Sequence, residues 1–218
     1  MTATADPHCP LCLASAVSPY HRDHTRDYLS CSRCQLVFVP AAQHLSEDAE
    51  KAAYDLHEND PRDPGYRRFL ERLVVPLAER LPRPGSGLDF GSGPGPALVQ
   101  MFAERGHSMA LYDKFYQPDT AVLATGYDFI TATEVVEHLR DPRAELTRLW
   151  SRIRPGGLLG IMTKLVRDRD AFTRWHYIRD PTHVCFFARS TFEYLARAWQ
   201  AELTFVANDA LIISKRAR

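Results

Sequence analysis

Three groups of residues in this sequence have the types and spacing to do chemistry. Cys9-Pro-Leu-Cys12 and Cys31-Ser-Arg-Cys34 are two C-x2-C pairs with eighteen residues between them, a spacing at which four thiolates close a tetrahedral shell on one zinc ion. Each tight turn points two sulfurs at one centre. A four-thiolate shell leaves no position for water, so the expected Zn²⁺ is structural and staples a segment too small to build its own core. Disulfides or a redox pair are the competing use. The chain's start has no charged stretch followed by an apolar one, so the reading is cytoplasmic, where thiols stay reduced. Cys185 stands among Val184, Phe186 and Phe187 and reads as a small buried hydrophobe.

The second group is Gly91-Ser92-Gly93-Pro94-Gly95, directly after the short apolar run Gly87-Leu88-Asp89-Phe90. Glycine lets backbone approach a ligand closely, and a glycine turn at the end of a first strand is where α/β sheets bind adenosine-containing ligands. The pattern departs from G-x-G-x-x-G: the third glycine comes one residue early and Pro96 takes its place, which argues against a dinucleotide. The third group is Glu134-Val-Val-Glu137-His138, with His183 further on. An imidazole titrates near working pH, so His138 and His183 are candidate bases. The plainer use of the same residues has Glu134 lining a cleft, Glu137 capping a helix and His138 bonded in a loop.

Elements must hold these groups. Residues 1–40 form a ribbon closed by a short strand over 34–40, and 41–65, polar and broken by Pro61, Pro64 and Gly65, form a linker. From Tyr66 to Leu81 apolar residues recur at three and four, which predicts an amphipathic helix with a kink at Pro76, stopped by Leu81-Pro-Arg-Pro-Gly-Ser-Gly87. The run 87–90, the glycine turn and a helix over 96–104 make strand, turn, helix. Strands follow over 107–112, 127–131 and 158–162. Asp141-Pro142 opens a helix that Pro155-Gly156-Gly157 closes, Ser190 caps another to Trp199, and strands over 201–206 and 210–215 meet at Asn208-Asp209. Such alternation means an α/β doubly wound sheet, ending in an antiparallel hairpin.

Asp89-Phe-Gly91-Ser-Gly93-Pro-Gly95 resembles the first motif of class I S-adenosylmethionine-dependent methyltransferases. The stretch Tyr127 to His138, the stretch Arg154 to Met162, Asp113 and the terminal hairpin agree with it, so the resemblance covers residues 66–215. It implies a Rossmann-like domain over 66–218 and S-adenosylmethionine held by Asp89, Gly91, Ser92, Gly93, Gly95, Asp113 and Thr133, with Asp113 on the ribose hydroxyls. Only thirteen residues separate Asp113 from Tyr127, too few for the usual helix, third strand and helix, so that side of the sheet is abbreviated and adenine is expected against 115–126. In ubiquinone-pathway O-methyltransferases and small-RNA 2′-O-methyltransferases a similar E-x-x-E-H stretch and a later His bind a divalent ion. Carried over, Glu134, Glu137, His138 and His183 would hold Mg²⁺ or Mn²⁺ against an acceptor oxygen. The catalytic candidates are then His138, His183 and Glu134.

The expected reaction is methyl transfer to a small-molecule acceptor, with oxygen favoured. Zinc knuckles also precede this fold in enzymes that methylate ribosomal-RNA guanines, and ten Lys/Arg against five Asp/Glu over 140–180 could face RNA. A solvated helix face is the favoured explanation of that excess. Lys+Arg and Asp+Glu are 27 each in 218 residues, and no basic stretch is interleaved with aromatics, which argues against a nucleic-acid partner. No run approaches the ~18 apolar residues of a membrane span. A third reading, a non-catalytic zinc-ribbon interaction protein, is separated from the first two by whether S-adenosylmethionine binds.

Overall fold

The computed structural model describes residues 8–56, 60–81 and 84–217. The expectation about the chain's start, the Pro82-Arg83 part of the helix stop and the terminal Arg218 lie outside the described residues. In chain order the strands are β1 (Val17–Arg22), β2 (Asp27–Cys31), β3 (Val37–Phe38), β4 (Ser86–Phe90), β5 (Ser108–Tyr112), β6 (Tyr127–Thr133), β7 (Ile153–Met162), β8 (Cys185–Phe186), β9 (Glu202–Phe205) and β10 (Ala210–Ser214). The helices are α1 (Glu47–Tyr54), α2 (Pro64–Ala78), α3 (Ala97–Ala103), α4 (Pro142–Arg152), α5 (Arg169–Thr173) and α6 (Arg189–Ala198).

Six strands form the main sheet in the order β5-β4-β6-β7-β10-β9. The first four run parallel, and β10 pairs antiparallel with both β7 and β9. Alternate residues feed opposite faces, as the strand period of two requires. Phe129 of β6 and Ile212 of β10 pack with α2 and α3, through Leu73, Leu77, Met101 and Phe102. Their neighbours Ile130, Leu211 and Ile213 pack on the other side with Leu146 and Leu149 of α4 and Phe192 and Leu195 of α6. Between β5 and β6 lies only a 3-10 turn, Thr120–Ala124, so the expected abbreviation leaves β5 as the sheet edge. Among the described residues no helix is long and apolar enough to cross a membrane.

The second sheet runs β1-β2-β3-β8. Its last strand comes from far along the chain, with Val37 opposite Phe186 and Phe38 opposite Cys185. Cys9, Cys12, Cys31 and Cys34 share one buried cluster with Phe172, Tyr177, Phe186, Phe187 and Phe192. Residues 9–39 are thus packed into the rest of the molecule rather than tethered to it.

Within the stretch expected as a linker, residues 41–56 hold a 3-10 turn and α1, with Ser46 capping α1 by accepting the Ala49 amide, and α2 begins at Pro64. Three expectations are corrected. The stretch Pro155-Gly156-Gly157 does not close α4, which ends at Arg152; it lies inside β7. Position Gly156, at φ +77, bends the strand and donates its N–H to the Lys215 carbonyl. Ser190 is inside α6, whose cap is Ala188, with the Ala188 amide donating to the Thr191 hydroxyl. Glu137 caps no helix; it sits in a buried 3-10 turn, Val136–His138.

Candidate active site

The turn after β4 is shaped by its glycines. Gly91, at φ +77, and Ser92 both donate their amides to the Tyr112 carbonyl at the end of β5. A Cβ on Gly91 would stand 2.4 Å from Val135 Cγ2, so a side chain there would collide with the segment that follows β6. Gly93, at φ +61, faces open space. Its amide donates to Asp113 Oδ2 at 2.9 Å, while Asp113 Oδ1 accepts the amides of Phe115 and Tyr116. A carboxylate has about four lone-pair sites, which leaves one for a ligand hydroxyl.

This turn forms one wall of a cavity of about 750 Å³. Gly91, Ser92, Gly93, Asp113, Thr133, Glu134, His138 and His183 all line it; Asp89 and Gly95 do not. Asp89 is buried beneath the turn, where its carboxylate accepts from the Thr131 hydroxyl at 2.9 Å and burial raises its pKa to about 7. Gly95 turns its carbonyl to the Ala97 amide at the start of α3. Of the loop expected to hold adenine, Phe115 lines the cavity, joined by Leu139 and Glu145.

The roof comes from the supposed linker. Glu50 of α1 is buried, takes Lys114 Nζ at 2.8 Å on one oxygen and Arg140 Nη2 at 2.7 Å on the other, and receives the Tyr54 hydroxyl. Tyr54 lines the cavity and packs edge-on against Phe115 and His138. The signal was present in the sequence: Ser46 followed by Glu47 and Asp48 is a helix start, and Lys51 and Asp55 pair at i,i+4. Glu50→Ala leaves two cations facing each other at the cavity wall, and S-adenosylhomocysteine affinity is expected to fall about tenfold, a 1–2 kcal/mol loss of anchoring, read by calorimetry.

Glu134, on the cavity wall, sits at φ +53 where β6 ends. Thr133 Oγ1 and Glu134 Oε1 are buried without a hydrogen-bond partner among the described residues, polar atoms that a ligand in the cavity would satisfy. Burial raises the pKa of Glu134, and burial together with the Glu134 charge raises that of Glu137. Glu137 is fully buried, lies off the cavity and accepts the Tyr177 hydroxyl. His183 Nδ1 is 2.7 Å from the Tyr177 carbonyl and His138 Nδ1 is 3.2 Å from the Thr182 carbonyl. A carbonyl only accepts, so each Nδ1 carries a proton, and His183 Nε2 faces Asp180 Oδ2 at 3.6 Å. Burial lowers the His183 pKa, which keeps the ring neutral.

Of the four expected divalent ligands, Glu137, His138 and His183 bring ligand atoms within 4.8 Å of one another, and Glu134 stands outside the group. Glu137 Oε1 takes the Tyr177 hydroxyl, while its Oε2 is buried without a hydrogen-bond partner among the described residues. Two imidazoles and one carboxylate are fewer hard oxygen donors than Mg²⁺ or Mn²⁺ prefers, so three of the four expected ligands converge without completing such a shell. The four cysteines do fit zinc: all are buried and unbridged, their sulfurs lie within 4.8 Å of one another, and Cys9–Cys34 and Cys12–Cys31 are each 3.5 Å apart. With no cation, the bond from Cys34 holds Cys9 low at about 5, while burial pushes Cys12 up to about 11; four thiolates coexist there only around a positive ion.

Comparison with known proteins agrees with this geometry. Residues 63–205 match the family model described as a methyltransferase domain. The tRNA 5-carboxymethoxyuridine methyltransferase of Escherichia coli (strain K12) is 35% identical over a stretch covering 39% of this chain and 42% of that protein. The chain thus aligns with less than half the length of that relative. Among solved structures, 1,6-didemethyltoxoflavin-N1-methyltransferase of Burkholderia thailandensis, bound to its acceptor and S-adenosylhomocysteine, superposes with a TM-score of 0.50 at 18% identity, over 92% of this chain and 100% of that one. An O-methyltransferase family protein of the same organism gives 0.51 at 14% identity, over 78% and 60%. At these identities the likeness is one of fold.

Proposed function

We propose that this chain, which belongs to the methyltransferase-domain family, moves the methyl group of S-adenosylmethionine to an oxygen of a small-molecule acceptor beside His138 and His183. The observation that carries this reading is one continuous cavity lined by the glycine turn and Asp113 together with Glu134, His138 and His183. Bound S-adenosylmethionine supplies an electrophilic methyl carbon for an in-line displacement, in which positioning does most of the work. Gly91 and Gly93 admit the ligand against the backbone, and Asp113 offers its remaining lone pair to a ribose hydroxyl. Thr133 Oγ1 and Glu134 Oε1 offer polar contacts that nothing else in the described chain takes up. His183, neutral and with Nδ1–H fixed on the Tyr177 carbonyl, presents Nε2 as the base that accepts the acceptor proton. In this reading Cys9, Cys12, Cys31 and Cys34 hold a structural Zn²⁺, and residues 66–218 carry the reaction.

His183→Ala is expected to leave S-adenosylhomocysteine affinity within about twofold while transfer falls about 10²–10⁴-fold, the share a general base supplies. The measurement is incorporation of label from methyl-labelled S-adenosylmethionine into the small-molecule fraction of a cell extract. Full incorporation by the variant would remove His183 from the chemistry. The relative's action on tRNA favours a second reading, in which the acceptor is RNA. Total RNA as a parallel substrate decides between them: label entering RNA and not the small-molecule fraction would overturn the small-molecule reading.

A further inference from the structure

Arg26 lies in the turn between β1 and β2, is 8% exposed, and reaches a segment more than 150 residues away. Its Nη1 donates to the carbonyls of Pro181, at 3.1 Å, and His183, at 2.9 Å. Its Nη2 donates to those of Ile178, at 2.6 Å, and Asp180, at 3.0 Å. All four Nη hydrogens are therefore spent on main-chain carbonyls of one segment, which leaves the 3-10 turn His176–Arg179 and runs on as an irregular loop. That loop joins no sheet until Val184, whose carbonyl accepts the Val39 amide just after β3. Carbonyls withdrawn from water need a donor, and here one guanidinium serves four, with the bonds to Ile178 and His183 buried and those to Asp180 and Pro181 partly buried.

The same loop orients both acceptor-side imidazoles. His183 Nδ1 bonds the Tyr177 carbonyl and His138 Nδ1 bonds the Thr182 carbonyl, with the two rings 4.7 Å apart. Residues 177–183 thus supply carbonyls inward to the histidines and outward to Arg26. We propose that Arg26 is a positioning residue for the acceptor site, and that the four-cysteine ribbon serves to hold this guanidinium where the loop must wrap around it. The inference rests on the reading that His138 and His183 face the acceptor. Lysine is no substitute, because an ammonium is a point donor and cannot span four carbonyls in a plane as a guanidinium does. The turn that carries Arg26 is itself held from both sides. Asp23 Oδ1 accepts the amides of Thr25 and Arg26, and Tyr28 Oη lies 2.6 Å from Asp23 Oδ2 and 3.2 Å from the Ile178 carbonyl.

The test uses the full zinc-loaded chain and its Arg26→Met and Arg26→Lys variants. Three properties are read: the imidazole tautomers by nitrogen-15 histidine NMR, amide exchange by mass spectrometry, and S-adenosylhomocysteine affinity by calorimetry. The parent is expected to show His183 as the Nδ1–H tautomer, its resonance identified by loss in His183→Gln. In Arg26→Met that preference is lost and amides of 178–184 exchange at least about tenfold faster, while β4 and β6 amides and the affinity stay within about twofold. Arg26→Lys falls between. An unchanged tautomer and unchanged exchange in Arg26→Met, or in Arg26→Lys if the methionine variant does not fold, would overturn the proposal. So would affinity falling in step with exchange, since that is general loosening. If His183→Ala keeps full methyl transfer while Arg26→Met still releases the loop, the acceptor reading fails and the positioning result stands.

Discussion

Gly93→Val is expected to reduce S-adenosylhomocysteine binding by more than about a hundredfold while the sheet stays folded. An ideal Cβ at Gly93 meets nothing within 4 Å, and the residue lines the cavity, so the isopropyl group would occupy ligand space instead of colliding with protein. What the folded state loses is the strain of a β-branched residue at φ +61, about 1–2 kcal/mol, or a few degrees in Tm. The loss in binding is larger because a filled site leaves no alternative pose. Gly106→Ala is the control: φ is +82, nothing lies within 4 Å, and the residue is not part of the cavity wall. It should share the strain and keep the affinity. Calorimetry that found Gly93→Val binding like the parent would move the cofactor elsewhere.

Cys31→Ser is expected to remove the zinc and to unfold more than the ribbon. Purified protein should carry about one zinc per chain by elemental analysis, and the apparent worth of a structural zinc, about 10–16 kcal/mol in isolated peptides, equals the stability of a whole domain. Reading the first forty residues as a separate unit would confine the damage to them. The shared cluster with Phe172, Tyr177, Phe186 and Phe187, and the β3–β8 pairing, extend it to 172–187. Exchange should therefore rise in both segments, while β4 and β6, which pair with each other and are flanked by β5 and β7 in the main sheet, stay protected by that ladder. Zinc absent from protein prepared without chelator, with four freely titratable thiols, would eliminate the site. Exchange rising in the ribbon alone would eliminate the coupling.

Much of the cofactor side was legible from residue order. Asp89 to Gly95 identified a strand and its turn, and Asp113 proved to be the carboxylate that receives the Gly93 amide. Asp89 itself was misplaced because a motif gives order and not depth: its side chain follows the strand pleat into the core, where Thr131 meets it. Glu134 and Glu137 were grouped for a similar reason. Three residues apart they look like partners, yet a left-handed Glu134 and a 3-10 turn send one carboxylate to the cavity wall and the other beneath it.

The sequence by itself determined the elements that local chemistry specifies: glycines where the backbone turns left-handed, paired cysteines on tight turns, and apolar residues at the periods of helix and strand. Each such signal is complete within a few residues, because it records what a short segment needs in order to form. Which distant segments meet was decided only in three dimensions. The α1 roof depends on Glu50 finding Lys114 and Arg140, the ribbon's last strand on β8, and the 178–183 loop on Arg26 finding four carbonyls. A guanidinium bonding main-chain carbonyls selects no particular side chain in its partner, so the contact leaves no pattern at the other end of the chain to read.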